Sequence, residues 1–203
     1  MKHRIFIYIV ARDYGFAPNP FYGFCTLATC KPFIRGCAKT EDWVVGIGSK
    51  KCDRVNHIVF AMRVTDTMTF DEYWNDPRFL SKRPHLVGSM KQAFGDNIYH
   101  HSPESPDWIQ ENSHHSLRDG SVNWENVRND TQKNRVLVSE DFAYWGGSGP
   151  FIPEIFHEHL PRRQGHRSRF CEQFITDFIK WIRSREESGY LGEPLEWQKA
   201  SDW

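Results

Sequence analysis

The fold is decided near the amino terminus by the stretch Ile5-Phe6-Ile7-Tyr8-Ile9-Val10. Every residue in it is β-branched or aromatic, and charged residues lie close on both sides. This pattern is typical of a strand buried at the centre of a sheet. Two further strands are predicted at residues 43–48 and 57–64, and the polar turn between them, 49–56, predicts that they pair antiparallel.

Two helices stand out further along the chain. The segment 169–185 has an aromatic face at helical spacing and predicts an amphipathic helix that packs across the sheet. Thr69 and Glu72 form a capping-box pattern that starts a short helix, and Asp76-Pro77 ends it. The aromatic face of the longer helix consists of Phe170, Phe174, Phe178 and Trp181.

The predicted fold class is therefore α+β, with a strongly curved or barrel-like mixed sheet packed by the C-terminal helix. We expect a single domain over residues 1–186. A stretch at about 102–131 is polar and rich in Pro, Ser, Asp, Asn and His. We expect it to be a long ordered loop, because its tryptophans need a place to dock. Residues 187–203 are expected to be a C-terminal tail.

Composition limits the classes of partner. The chain has 203 residues, with 26 basic and 26 acidic side chains. This balance gives no general attraction to nucleic acid or to anionic membranes, so any polyanion contact must be local. No apolar run approaches the roughly 18 residues that a membrane span needs. We expect a cytoplasmic protein with no membrane partner.

The five cysteines are an odd number and predict reduced, buried thiols rather than disulfides. Cys25 and Cys30 have the C-x4-C spacing of half a zinc site, but no second close pair accompanies them. No metal and no cofactor is predicted.

The block that follows the first strand is too long and too polar for a plain connection. In Pro18-Asn19-Pro20 the prolines restrict the backbone and direct the Asn19 amide, which suits reading the edge of a nucleobase. Cations and hydroxyls around it suit a phosphate. The alternatives are an ordinary Asx turn and ordinary surface charge. The cations are Arg12, Lys31 and Arg35, and the hydroxyls include Thr26.

Histidines cluster in and beside the polar stretch, at 100–101 and 114–115. A histidine with a nearby carboxylate is the usual equipment for general acid–base catalysis or for a divalent metal. We predict a catalytic role for His114 or His115, and solvated surface histidines are the alternative. The carboxylates within reach in sequence are Asp96, Asp119 and Asp130.

A glycine cluster at 146–149 follows the next predicted strand, 135–139. Gly147 and Ser148 are predicted to present backbone N–H groups to an anion, and a flexible turn is the alternative. The cluster lacks the Lys and Ser/Thr of a P-loop. No zinc-protease, nucleophile-elbow or zinc-deaminase motif is present.

Several motifs give the chain a family resemblance. It resembles the bacterial and phage family called nucleotide modification associated domain, second type, at residues 16–21, 25–32, 42–46, 70–74 and 113–116. This resemblance implies association with DNA-modification or phage-conflict systems and no particular reaction. A second, shorter similarity, at 39–49 and 58–64, is to the strand–turn–strand unit of PUA-like barrels, including types that hold a modified base in an aromatic pocket.

The leading prediction is a protein that recognises or processes a modified nucleobase or nucleotide, free or within nucleic acid. Asn19 and Ser49 would read its polar edges, a ring from Phe16, Phe21 or Trp43 would stack on it, and the cations named above would hold phosphate. One alternative is an enzyme with His114 or His115 as acid–base and Asp96 or Asp119 as its partner. Another is an accessory subunit of a modification or defence complex, which docks a protein partner through the apolar residues of its tail.

Overall fold

A computed structural model describes residues 3–197, and the chain folds into two compact units. The first unit contains the chain up to Tyr14, then Ala38–Thr65, then the chain from Ser139. The second unit contains Gly15–Cys37 and Asp66–Val138. The strands are β1 (Ile5–Val10), β2 (Cys25–Leu27), β3 (Trp43–Gly48), β4 (Ile58–Arg63), β5 (Asp66–Met68), β6 (Tyr99–Ser102), β7 (Ser105–Gln110), β8 (Val136–Ser139), β9 (Asp141–Tyr144), β10 (His166–Arg167) and β11 (Gly189–Tyr190). The helices are α1 (Pro32–Cys37), α2 (Phe70–Asn75), α3 (Met90–Ala93), α4 (Trp124–Thr131) and α5 (Glu172–Arg183).

The first unit is built on a mixed six-stranded sheet in the order β10-β1-β3-β4-β9-β11. β1 runs parallel to β3, and β3 pairs antiparallel with β4, which confirms the predicted pairing. The sheet is open, with two-residue strands at its edges, and none of the sheets among the described residues closes. The barrel-like alternative is therefore wrong. Strands this short leave no pair of long edges to hydrogen-bond into a cylinder.

The core of the first unit lies between this sheet and α5. Phe174, Phe178 and Ile182 of the helix are buried against inward-facing residues of the sheet such as Ile5 and Val45. The helix occupies the inner part of the predicted span 169–185. Across residues 3–197, no helix has the length and apolar character that crossing a bilayer requires.

The chain beyond α5 returns to the first unit. β11 pairs parallel with β9, and the Leu191 N–H donates to the Tyr144 carbonyl. The Leu195 N–H donates to Asp13 Oδ2, and the Trp197 indole donates to the Tyr14 carbonyl. The part of the predicted tail that is described, up to residue 197, is thus bonded to the sheet and to the segment after β1. The end of the predicted tail, including Trp203, lies outside the described residues.

The second unit has a three-stranded sheet, β2-β8-β5, and the two-stranded sheet β6-β7, with α1 to α4 around them. The Thr69 capping box at the start of α2 is confirmed, since both of its reciprocal hydrogen bonds are present. The stretch 102–131, predicted as a loop, contains β7 and α4. Its polar composition concealed them because α4 is capped by Asn123 and buries only Val127 and Asp130.

Candidate functional site: a cysteine, a histidine and an aspartate

A sharp turn between β2 and α1 presents Cys30. The strand ends at Leu27 and the helix begins at Pro32, so four residues connect them. Within them Cys30 and Lys31 adopt left-handed backbone angles, with φ of 56° and 43°. Such angles are uncommon for residues with a side chain and cost of the order of 1–3 kcal/mol, and they concentrate at functional sites. The Cys30 side chain is partly exposed.

His115 and Asp130 complete a linear array with this thiol. Cys30 Sγ lies 3.6 Å from His115 Nε2, and His115 Nδ1 lies 2.9 Å from Asp130 Oδ2. A carboxylate that binds one ring nitrogen fixes the rotation of the imidazole and directs the other nitrogen at the nucleophile. We call these three residues the triad.

Asp130 is fully buried on α4 and accepts hydrogen bonds from several sides. Its Oδ1 accepts the backbone N–H of Cys30 at 2.7 Å, and its Oδ2 accepts the Tyr99 hydroxyl at 2.9 Å. The Asn129 amide also reaches Oδ1, at 3.4 Å. Because one carboxylate binds both the Cys30 backbone and the His115 ring, α4 sets their separation.

The His115 backbone is held by a second layer of amides. Its carbonyl accepts from the Asn126 amide at 2.8 Å and from the Gln110 amide at 3.3 Å. Gln110 also donates to the Tyr99 hydroxyl, at 3.2 Å. The ring is therefore positioned by β7 and α4 together and not by its own turn alone.

The surroundings favour a protonated His115. Burial opposes the charged ring, but the hydrogen bonds to Asp130 and Cys30, with the charges of both groups, outweigh it and raise the pKa of His115 to about 9. Burial, reinforced by the charge of Asp130, raises the pKa of Tyr99 well above its ordinary value. Tyr99 consequently remains a hydrogen-bond donor to Asp130 at neutral pH.

Arg35 holds together the backbone of the two outer residues of the triad, Cys30 and Asp130. Its guanidinium is buried and donates to the carbonyls of Cys30, Lys133 and Arg135 at 2.6–2.8 Å, and also to the Asp130 carbonyl. Burial lowers the pKa of Arg35, while the charge of Asp130 counteracts that effect. Two of its nitrogens thus bond the backbone of Cys30 and Asp130, and the third bonds the segment that follows α4.

Aromatic rings surround the histidine pair. The Phe16 ring centroid lies 4.7 Å from that of His115 and 5.3 Å from that of His114. The Phe94 ring lies 5.1 Å from His114. These contacts exclude water from one side of the array and so strengthen the electrostatic interactions inside it.

The arrangement is chemically competent for nucleophilic catalysis. Transfer of the Cys30 thiol proton to His115 Nε2, 3.6 Å away, yields a thiolate, which is the reactive form of cysteine. The same ring then has a proton to give to a leaving group. Cysteine–histidine pairs that are oriented by a third polar group recur on unrelated folds for acyl transfer.

Comparison with known protein families gives a match. Residues 2–201 match the family described as nucleotide modification associated domain 2. The chain belongs to that family. Comparison with curated proteins and with solved structures finds no match.

In this member of the nucleotide modification associated domain 2 family, part of the predicted block is buried. Asn19 donates to the Phe94 carbonyl, and its own side-chain oxygen accepts from Lys82 Nζ at 2.6 Å. Thr26 donates to Asp96, which also accepts the Tyr73 hydroxyl at 2.7 Å. These polar groups bond one another within the second unit, and the buried Arg35 donates to backbone carbonyls there. The arrangement favours structural roles for them over contacts to a base or a phosphate.

Of the other residues in the second unit that the sequence predicts for the site, some lie beside the triad and some lie away from it. Phe16, His114 and His115 come together, and Lys31 directly follows Cys30. Phe21 is buried, with Lys91 Nζ 5.8 Å from its ring centroid. Asp119 is exposed and accepts from Ser121 in its own turn. The carboxylate partner of His115 is Asp130, whereas Asp96 bonds Thr26 and Tyr73.

The other predicted residues belong to the first unit. Trp43 is buried in its core, 4.8 Å from the Arg183 guanidinium, and Ser49 contacts Cys52. The Gly147 N–H donates to the carbonyl of Glu193, which lies beyond β11, and the Ser148 hydroxyl donates to the Trp145 carbonyl within its own turn. Arg12 is exposed.

Sequence reasoning missed Cys30 as a nucleophile. Two features of the sequence point to Cys30: it lies in a turn between a strand and a helix that begins with proline, and Asp130 supplies a carboxylate. The sequence predicts Asp130 only as a residue within reach of the histidines. All five cysteines are free. Within residues 3–197, no three or more His, Cys, Asp or Glu side chains are grouped closely enough to hold a metal ion.

The environment of Cys30 predicts selective alkylation. At pH 6.5, where an ordinary thiol is only about 1% thiolate, we expect iodoacetamide to modify Cys30 about tenfold or more faster than Cys171. Cys171 is a stringent comparison because it is the more exposed thiol. The advantage should shrink as the pH rises through about 9, where His115 loses its proton. Peptide mass spectrometry of timed digests measures both rates in one sample.

The matched variant is His115→Gln. It removes the cation while keeping a polar side chain, and it should bring the Cys30 rate down to that of Cys171 or below. Equal rates in the parent protein, or a variant that reacts as fast as the parent, would show that the imidazole does not assist this thiol.

Proposed function

We propose that this protein is a cysteine-dependent enzyme that transfers or hydrolyses an acyl-type group during nucleotide modification. The observation that supports it is the triad, in which one buried carboxylate fixes the His115 ring against Cys30 Sγ. The family name supports the nucleotide context. Together they favour processing of a modified base over recognition alone, because recognition has no use for a nucleophile with an oriented imidazole.

The proposed reaction proceeds in two balanced steps. The Cys30 thiolate attacks the carbonyl carbon of the acyl group, and a thioester forms as the bond to the nucleobase nitrogen or oxygen breaks. His115 gives its proton to the departing nucleobase. It then takes a proton from water or from an acceptor amine, which attacks the thioester and expels the Cys30 thiolate beside the protonated ring. Asp130 keeps its charge throughout and acts as a positioning residue.

The substrate class is a nucleoside or nucleotide that carries an amide-linked or ester-linked group, in a DNA-modification or phage-conflict system. Lys31 directly follows the nucleophile and is partly exposed, so we assign it to the phosphate of the substrate. The rings of Phe16 and His114 form the aromatic wall next to His115. Asn19, Thr26 and Arg35 support this site from within the fold.

The test uses p-nitrophenyl acetate as a generic acyl donor and N-acylated deoxynucleosides as the proposed class. We expect a burst of p-nitrophenol, an acetylated Cys30 peptide, and deacylated nucleoside. Cys30→Ser should lower all three by at least about a hundredfold. The matched control, Cys171→Ser, should leave them unchanged. Nucleoside turnover that survives in Cys30→Ser, or an acyl group found on another residue, would overturn the proposal.

A further inference from the structure

A groove in the first unit has no role in the chemistry above. It has a volume of about 870 Å³ and is lined by the two residues before β1, the segment before α5 and one side of α5. Its apolar surface comes from Phe170, Ile175 and Ile179, which are partly exposed. Arg169 and Lys180 are exposed cations on the same lining.

The cations at this groove are available to a ligand. Arg4, on the lining, is bound to Asp42. By contrast, among residues 3–197 no hydrogen bond or ion pair engages the side chains of Arg169 and Lys180, or of the exposed neighbours Arg162 and Arg163. In a chain whose formal charges cancel, this is a local excess of positive charge. Glu172 is the acidic residue on the lining.

Protection of a sheet edge does not account for this pattern. Charged residues on an exposed edge strand prevent pairing with other chains, and β10 is such an edge. However, β10 contains only His166 and Arg167. The unengaged arginines lie before and after it, and they accompany half-exposed apolar side chains of α5, which edge protection does not require.

We propose that this groove binds single-stranded nucleic acid. Unengaged cations would follow the phosphates, while Phe170 and the two isoleucines offer apolar contact to unpaired bases, the combination that single-strand sites use. Arg162 and Arg163 lie outside the lining and precede β10, which runs antiparallel to β1, so they lie towards the end of this sheet edge away from Arg4. Positive charge spread along the edge in this way exceeds what one phosphate needs and points to a strand rather than a mononucleotide. Paired bases in a duplex do not present their faces to such a surface. The proposal stands independently of the triad.

The experiment is fluorescence anisotropy with a labelled oligodeoxythymidine of about 15 nucleotides, titrated at several salt concentrations. The variant Arg162→Gln, Arg163→Gln, Arg169→Gln removes three exposed charges. We expect its dissociation constant at low salt to rise about tenfold or more, and the slope of log K against log salt to flatten by about 2. The matched control Lys39→Gln, Lys50→Gln, Lys51→Gln removes three exposed charges elsewhere in the same unit and should change neither quantity.

Three results would overturn the proposal: no binding by the parent protein, equal effects of both triple variants, or equal affinity for a labelled duplex or for thymidine monophosphate. Phe170→Leu adds a second readout. It keeps apolar volume but removes the ring, and it should weaken binding about fivefold or more at high salt, where phosphate contacts contribute least. All measurements are repeated in Cys30→Ser, which should bind as the parent does, so failure of the acyl-transfer chemistry and failure of strand binding are distinguishable.

Discussion

Replacing Asp130 by Asn is expected to lower acyl transfer from p-nitrophenyl acetate by roughly 10²–10⁴-fold. The carboxylate accepts from the Cys30 N–H on one oxygen and from His115 Nδ1 and Tyr99 on the other. An amide of the same shape has only one accepting atom, so its NH₂ group must face one of these donors. The His115 ring then loses the bond that directs Nε2 at the sulfur. Burst amplitude and the rate of Cys30 alkylation measure the loss.

Asp119→Asn is the matched control, because Asp119, like His115, lies between β7 and α4 but accepts, among residues 3–197, within its own exposed turn. It should leave the rate within about twofold of the parent. The pH profile separates a positioning role from a merely structural one. In Asp130→Asn the decline of alkylation selectivity near pH 9 should move towards the ordinary histidine range, near 6.5. A folded Asp130→Asn protein that reacts as fast as the parent would refute the assignment of the triad.

The parts of the fold that sequence predicts are those set by local patterns. β1, the antiparallel pair β3 and β4, and the capped start of α2 follow from apolar runs and from Thr69 with Glu72. The openness of the sheet depends on how its edges end, at the two-residue strands β10 and β11. Residues 166–167 and 189–190 carry no local sequence pattern that predicts a strand, because each pair becomes a strand only through partners that are distant in the chain.

In the candidate site too, the sequence predicts what depends on local patterns and misses what depends on contacts between distant residues. His115 was predicted from its residue type and its neighbours. Its partners lie 85 residues back, at Cys30, and 15 residues on, at Asp130. Only the tertiary fold brings these residues together. The polar residues around Asn19 have the composition of a binding loop, yet they bond one another inside the second unit. Composition alone does not distinguish a buried network from an open site.

The largest loss of stability is expected from Lys82→Met. The Lys82 ammonium is fully buried and donates to the Asn19 carbonyl, the Asn19 side-chain oxygen and the Phe24 carbonyl at 2.6–3.0 Å. Its removal strands three acceptors and leaves the Asp96 charge uncompensated, which should lower the free energy of unfolding by about 3–5 kcal/mol in urea denaturation. Lys91→Met, at an exposed site of the same unit, should cost less than about 1 kcal/mol. Similar losses in both variants would refute the argument.

The pH dependence of the free energy of unfolding shows whether the fold favours or disfavours each buried charge. Burial raises the pKa of Asp96 to about 6, against an unfolded value near 4. The folded state therefore binds more protons between these values, and stability falls as the pH rises from about 4 to 6. Burial lowers the pKa of Lys82 to about 8, so the folded state binds fewer protons above it and stability rises with pH from about 8 to 10.5. Asp96→Asn should abolish the first slope, which corresponds to about 2–3 kcal/mol, in urea unfolding at pH 4.5 and 7. A parent protein that gains stability relative to this variant over that interval would show that the Asp96 carboxylate is stabilised, not strained, by its surroundings.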